Sequence, residues 1–365
     1  LDGWNSEFLR KRTSVRFGLR SLSETHNKGG GMMNSRNKNG LVVLTAVLLV
    51  FAAAGASFGG PEKVLKMAFI APSPVWGPVA EFYAKEVTAR EPNLQIKWFG
   101  DGQLGPLPQN FAEMKMGKLD MMLCDSGTLG LPKGGAHFNI VFAPYAFNSQ
   151  AHMRKFFGSD LFKSMLAETE KEAGIKYMGW VSDRSPRLIT TSNRKVVKPD
   201  DMKGLKLRVP LVKPISVVME AWGATPIPLS AAEMYMAMKQ GVVDGQDNGF
   251  DAIYGAKYYE VQKYVSPIDY CRSGLLVHVS QSTWNKLNDK ERKALLEAVE
   301  PTDKWASKRN DEVVAMSIKG VQEKGMIILQ PDIEAFKRTA AVAVKEKLDG
   351  QVWPAGLYDK IRAMD

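Results

Sequence analysis

Histidine and cysteine are scarce in this chain, with four of the first and two of the second among 365 residues. His26, His137, His152 and His278 are scattered with no two at a ligand spacing, so a zinc site has no support. Cys124 and Cys271 both sit in apolar contexts, where a buried free thiol is the default and a disulfide stays open in an oxidising compartment. Low-complexity segments, short-period repeats and blocks of one charge sign are also missing. The net charge of +10 is concentrated at the start, where residues 1–56 hold eight Lys/Arg against three Asp/Glu. The remainder carries roughly +5, interspersed with acids, which argues for a solvated surface and against a nucleic-acid groove.

Long apolar runs are rare as well. The one candidate, Leu41 to Ala54, is shorter than the ~20 residues a membrane span needs. It follows Arg36 and Lys38 and leads into Gly55-Ala56, the layout of a secretory signal. Leu1 is no initiator, and the first plausible starts are Met32 and Met33. Residues 1–31 therefore read as upstream translation and 32–56 as a signal peptide cut near Ala56. No Cys lies at the cut, so lipid attachment is not expected.

The roughly 300 residues that follow exceed the usual single-core size and favour two lobes. Val64–Ile70 alternates as a strand, Val79–Ala89 has a helical pattern, and Leu94–Phe99 alternates again. Phe111–Met116 continues a second helix and Leu119–Cys124 a third strand. This rhythm predicts a mostly parallel sheet with helices on its faces. A second series restarts near Lys176: strands Tyr177–Val181, Leu188–Thr191 and Lys206–Val209, then a helix Ile215–Ala221. Ser230 can cap a helix Ala231–Lys239, and Val242-Val243-Asp244 opens another strand. Helical patterns fill Thr283–Lys324 and Pro331–Leu348. Two α/β lobes in an exported protein suggest a cleft that closes on a ligand.

Arg208 ends an alternating strand just before Val209-Pro210, at the strand's C-terminal end, where open α/β sheets bind ligands. A guanidinium there can hold a carboxylate through two parallel hydrogen bonds, or serve in an interlobe salt bridge or on a solvated strand end. Arg187 has the same alternatives. Asn248 follows a strand and precedes a helix, so its amide can meet a bound oxyanion or cap a turn.

Several stretches in series resemble one family. Lys203-Gly-Leu-Lys-Leu-Arg-Val-Pro210, Gly223-Ala-Thr-Pro-Ile-Pro228 and Gly241-Val-Val-Asp-Gly-Gln-Asp-Asn248 are similar to segments of the extracytoplasmic solute-binding subunits of TRAP transporters, the tripartite ATP-independent periplasmic class. Gly102-Gln-Leu-Gly105, Gly117-Lys-Leu-Asp-Met121 and Phe142-Ala-Pro-Tyr-Ala-Phe147 match upstream. The resemblance runs from about Lys63 to the C-terminus. It implies an α/β periplasmic binding protein of two lobes around a ligand cleft, with a long hinge-spanning helix. It also implies a periplasmic monomer that captures a small carboxylate and delivers it to integral-membrane TRAP subunits. Lobe I is expected to cover residues 62–184 and about 274–312, and lobe II 185–273 and about 313–365. By the same resemblance Arg208 makes the central ion pair with the carboxylate, with Arg187 and Asn248 beside it. Two positions depart from the pattern: Gly249 stands where Pro is usual, and Ser185-Pro186 replaces a Gly-aromatic pair.

Among the aromatics, Trp76 in an expected Pro74–Pro78 loop after the first strand and Phe250 beside Asn248 are the favoured wall residues, with Tyr145 as a further candidate; Trp180 and Trp222 are weaker ones. No catalytic constellation emerges. Ser126 lacks the nucleophile-elbow glycine, and Asp244 and Asp247 fit local turn roles better than paired acid chemistry. The expectation is a binding protein without enzyme activity, cofactor, metal or nucleic-acid partner. The competing reading is a ligand-binding input for a sensor or an ATP-driven importer.

Overall fold

The computed structural model describes residues 62–364; the expected upstream segment and signal peptide lie outside the described residues. Alternation sets the first sheet. In β1 (Lys63–Ala68), Leu65 and Met67 are buried while Val64 and Lys66 face out. β1 pairs in parallel with β2 (Leu94–Phe99) and β3 (Met121–Asp125), as strand–helix–strand units require. β10 (Gly274–Ser280) then lies antiparallel between β3 and β4 (Ile175–Asp183), completing the order β2-β1-β3-β10-β4.

The second sheet has the order β11-β9-β5-β8-β6-β7. β6 (Lys206–Val209) is parallel to β7 (Thr225–Pro228) and to β8 (Gly245–Asn248). β5 (Arg187–Thr191) is antiparallel to β8 and to β9 (Tyr264–Cys271), and β11 (Ile327–Ile328) closes the edge. The expectation of mostly parallel sheets thus holds except at β5 and β10, each of which runs against the rest of its sheet. Those strands enter each sheet directly from the other lobe, without a crossover helix to turn them parallel.

Only residues 184–186 and 272–273 separate β4 from β5 and β9 from β10, so the two crossings run side by side. The Arg184 N–H donates to the Ser273 carbonyl at 3.2 Å, and Arg187 is in register with Cys271. A third connection is the long helix Val299–Glu323. Val299 lies against Gly179 of β4, and Gly320 lies against Tyr254 in the helix Phe250–Gly255 of the second lobe. Gly320 has no room for a Cβ, which would sit 2.3 Å from the Tyr254 ring.

The C-terminal segment divides between the two halves. In the helix Ile333–Ala343, Phe336 packs edge-on against Trp222 of the second lobe, their ring centres 5.1 Å apart. After Ala343 the chain joins the core of Phe138, Phe147 and Phe156 through Val344, Leu348, Trp353 and Ile361. Residues 344–364 therefore pack mainly on the first-lobe side of the boundary drawn above.

Two local expectations change. The first helix begins at Ser73, so Trp76 lies in its first turn and not in a loop; Pro74 sits at a start where no intrahelical N–H is needed. Val242-Val243-Asp244 is a turn, and strand β8 starts at Gly245. Among the described residues no helix is long and apolar enough to cross a membrane.

Candidate functional site

A cavity of about 570 Å³ opens between the two sheets. Its second-lobe wall is built from strand ends. Arg208 of β6 is buried at 4% exposure, and its Nε donates to the Leu229 carbonyl at 2.9 Å. The two terminal nitrogens have no hydrogen-bond partner, and Arg208 makes no ion pair among the described residues. Burial pulls its guanidinium down to about 10, and repulsion from Arg187 adds to the shift while Asp247 opposes it.

Arg187 of β5 is engaged differently. Its Nε donates to Asp247 Oδ2 at 2.6 Å and Nη2 to the Asp247 carbonyl at 2.9 Å. Asp247 holds Arg187 well above its usual range even against desolvation. The Tyr270 hydroxyl donates to the same carboxylate oxygen, so this charge is neutralised inside the second lobe. Asn248 Nδ2 donates to Gln246 Oε1 at 3.0 Å, which aims the amide along the wall beside Arg208. The Tyr258 hydroxyl, free of any hydrogen bond among the described residues, completes this polar end.

The first-lobe wall is mostly apolar, formed by Val75, Trp76, Leu107 and Leu131. It also carries a buried ion pair that sequence reasoning missed. Arg184 Nη1 donates to Asp125 Oδ2, and the guanidinium stacks over Trp76 at 5.2 Å. Asp125 also accepts from the Ser273 hydroxyl at 2.7 Å and the Gly127 N–H at 3.1 Å.

Of the six residues singled out from sequence, Arg208, Arg187, Asn248 and Trp76 line the cavity together. Phe250 and Tyr145 do not. The Phe250 side chain packs with Leu188, Ile253 and Val265 because the helix it begins turns that ring inward. Tyr145, at φ +54°, clamps a crossing segment: its N–H donates to the Tyr270 carbonyl at 2.7 Å and its hydroxyl to the Ile268 carbonyl at 3.2 Å. Cys124 and Cys271 are free and buried, and burial pushes the Cys124 thiol up to about 12. No cluster of three or more His, Cys, Asp or Glu suited to a metal occurs among the described residues.

A strand-end guanidinium at an interlobe cavity is the arrangement the sequence motifs led us to expect, and comparison with known proteins supplies the family. A family model described as bacterial extracellular solute-binding protein, family 7 (DctP), matches residues 68–350. The chain belongs to that family. A solute-binding protein of Roseobacter denitrificans is 27% identical over 313 residues, covering 85% of this chain and 95% of that one. The sialic acid-binding periplasmic protein SiaP of Vibrio cholerae is 29% identical over 256 residues, 69% of this chain and 78% of SiaP. In structure, a TRAP periplasmic solute-binding protein of Roseobacter denitrificans with bound L-galactonate superposes with a TM-score of 0.76. It is 25% identical and covers 84% of this chain and 99% of its own.

For a family 7 solute-binding protein, the two sequence departures prove to be one. A Cβ on Gly249 would lie 2.5 Å from Ser185 Cβ, and the Ser185 hydroxyl accepts the Phe250 N–H at 3.1 Å. Ser185 occupies the space that any side chain at 249 would need. The missed pair was within reach of the rule that found Arg208, since Asp125 ends β3 and Arg184 directly follows β4.

Proposed function

We propose that this solute-binding protein captures a small organic carboxylate between its lobes in the periplasm and hands it, as a monomer, to the membrane subunits of a TRAP transporter. One observation carries the reading: Arg208 is a buried guanidinium on the cavity wall with no carboxylate of its own. A desolvated cation is costly until an anion joins it, and a carboxylate fits the fork of its two terminal nitrogens. Arg187 and Asn248 flank the bound head group, and Trp76 faces it from the other lobe. Relatives support the ligand class. SiaP is named for sialic acid, the Escherichia coli relative YiaO for 2,3-diketo-L-gulonate, and the Roseobacter structure holds L-galactonate, each of them a carboxylic acid.

The protein binds without converting its cargo. Titration calorimetry against a panel of organic acids, followed by NMR of each acid after incubation, tests both halves of the proposal. One acid is expected to bind at 1:1 stoichiometry and be recovered unchanged. Turnover of any acid, or undiminished affinity in Arg208→Met, overturns the reading.

A further inference from the structure

Resting on the carboxylate reading above, we infer that the ligand is a monocarboxylate with an apolar, aromatic or branched body, and neither a sugar acid nor a dicarboxylate. The argument is a count of polar groups that face the cavity without a partner. On the second-lobe side they cluster at one end: the two terminal nitrogens of Arg208, Nη1 of Arg187, the Tyr258 hydroxyl and the outward edge of Asn248. That is one head-group site carrying a single uncompensated positive charge.

The opposite wall offers almost nothing to a polar ligand. Its apolar part is Val75, Trp76, Leu107 and Leu131, and Leu211, Val212 and Met234 extend the same character across the cleft. Its polar residues are few and largely engaged: among the described residues only Arg184 Nη2, Arg184 Nε and Trp76 Nε1 are left without a hydrogen-bond partner there. The charge of Arg184 is cancelled by Asp125, whose carboxylate is also filled by Ser273 and Gly127. The Thr128 hydroxyl donates to the Asp125 carbonyl at 2.6 Å, and at the second-lobe rim one oxygen of Glu233 is held by the hydroxyl and the N–H of Ser230. A second carboxylate on the ligand would meet no free cation there. A sugar acid, with a hydroxyl on nearly every carbon, would bury donors and acceptors against side chains that cannot pair with them. An aromatic or branched body matches this wall, with the Trp76 face already held in place by Arg184 at 5.2 Å.

Calorimetry on the purified protein with 3-phenylpropionate, 4-methyl-2-oxopentanoate, succinate, L-galactonate and 3-phenylpropionamide tests this. At least one of the two apolar monocarboxylates is expected to bind ten-fold or more tightly than succinate and galactonate, and the amide is expected to lose at least 100-fold. If galactonate or succinate binds and both apolar acids do not, the class assigned here is overturned while carboxylate capture stands. If the amide binds as well as its acid, or no acid in the panel binds, carboxylate capture falls too.

Discussion

Arg208 carries a charge that the empty protein does not neutralise. With its guanidinium pulled down to about 10, keeping it charged at neutral pH costs the ligand-free fold on the order of 3 kcal/mol. Arg208→Met is therefore expected to raise the melting temperature of the empty protein by a few degrees while abolishing the shift caused by ligand. An arginine in a structural salt bridge would give the opposite, a lower melting temperature, so scanning calorimetry of the two proteins separates the roles. His278 is a second buried group with a readable consequence. Both its ring nitrogens lack hydrogen-bond partners among the described residues in the interior of β10, and burial holds it down to about 3. It is neutral in the fold and takes up a proton when unfolded below about pH 6.5, so stability present above that pH is lost progressively towards pH 3. At pH 4.5 the loss from this one ring is about 3 kcal/mol. Urea titrations at pH 7 and 4.5 should show His278→Leu relieved of about that much acid destabilisation; equal acid losses in the two proteins would refute the assignment.

At the scale of elements, the β5–β8 pair decides where Arg187 and Asn248 point. Leu188 is in register with Asn248, and the turns that lead into one strand and out of the other meet where Ser185 touches Gly249. Gly249→Pro, which restores the usual family residue, should here drive the two segments apart and weaken both folding and binding. Ser185→Gly on its own removes the Cβ that crowds position 249 and the hydroxyl that accepts the Phe250 N–H. Combined, the two changes should recover much of the loss, with a coupling energy of about 1–3 kcal/mol in a double-mutant cycle read by urea melts. Additive effects would mean that the two positions do not share space. The same region marks the reach of sequence reading. Leu94–Phe99, Lys206–Val209 and Ala231–Lys239 form where expected, because strand alternation or the Ser230–Glu233 capping box is written within each segment. The directions of β5 and β10 depend on which lobe the chain comes from, which no local pattern records. Arg184 and Asp125 went unnoticed because 59 residues separate them, and their meaning appears only when the ends of β3 and β4 meet. Phe250 was misjudged because flanking a ligand residue along the chain does not fix which way a ring faces once a helix begins.

For the whole molecule, the two walls of the cavity belong to different bodies. The first sheet and the second have their own core clusters, and residues 184–186, residues 272–273, the helix Val299–Glu323 and the passage from Ala343 to Val344 join them. Arg154 fixes the start of that helix to the first lobe, donating to Asp303 through both terminal nitrogens, at 2.8 and 2.7 Å, and to Asp183 through Nε at 2.8 Å. The far end packs on Tyr254 of the second lobe, so the helix is held at both ends. Since the free polar groups are mainly on the second lobe and the apolar wall mainly on the first, binding has a natural order. In the proposed capture Arg208 would take the carboxylate first, and the first lobe would then close over the remainder, removing apolar surface from water. Closure of this kind predicts a smaller radius of gyration by X-ray scattering at saturating ligand and a negative heat-capacity change of binding. Arg208→Met should show neither with the same ligand at the same concentration. Trp76→Ala should keep a weakened affinity, because the head-group site is intact, but with a less negative heat-capacity change, because less apolar surface is covered. A scattering curve that ligand leaves unchanged would mean that the lobes are already closed around the empty cavity, and that the hinge plays no part in capture.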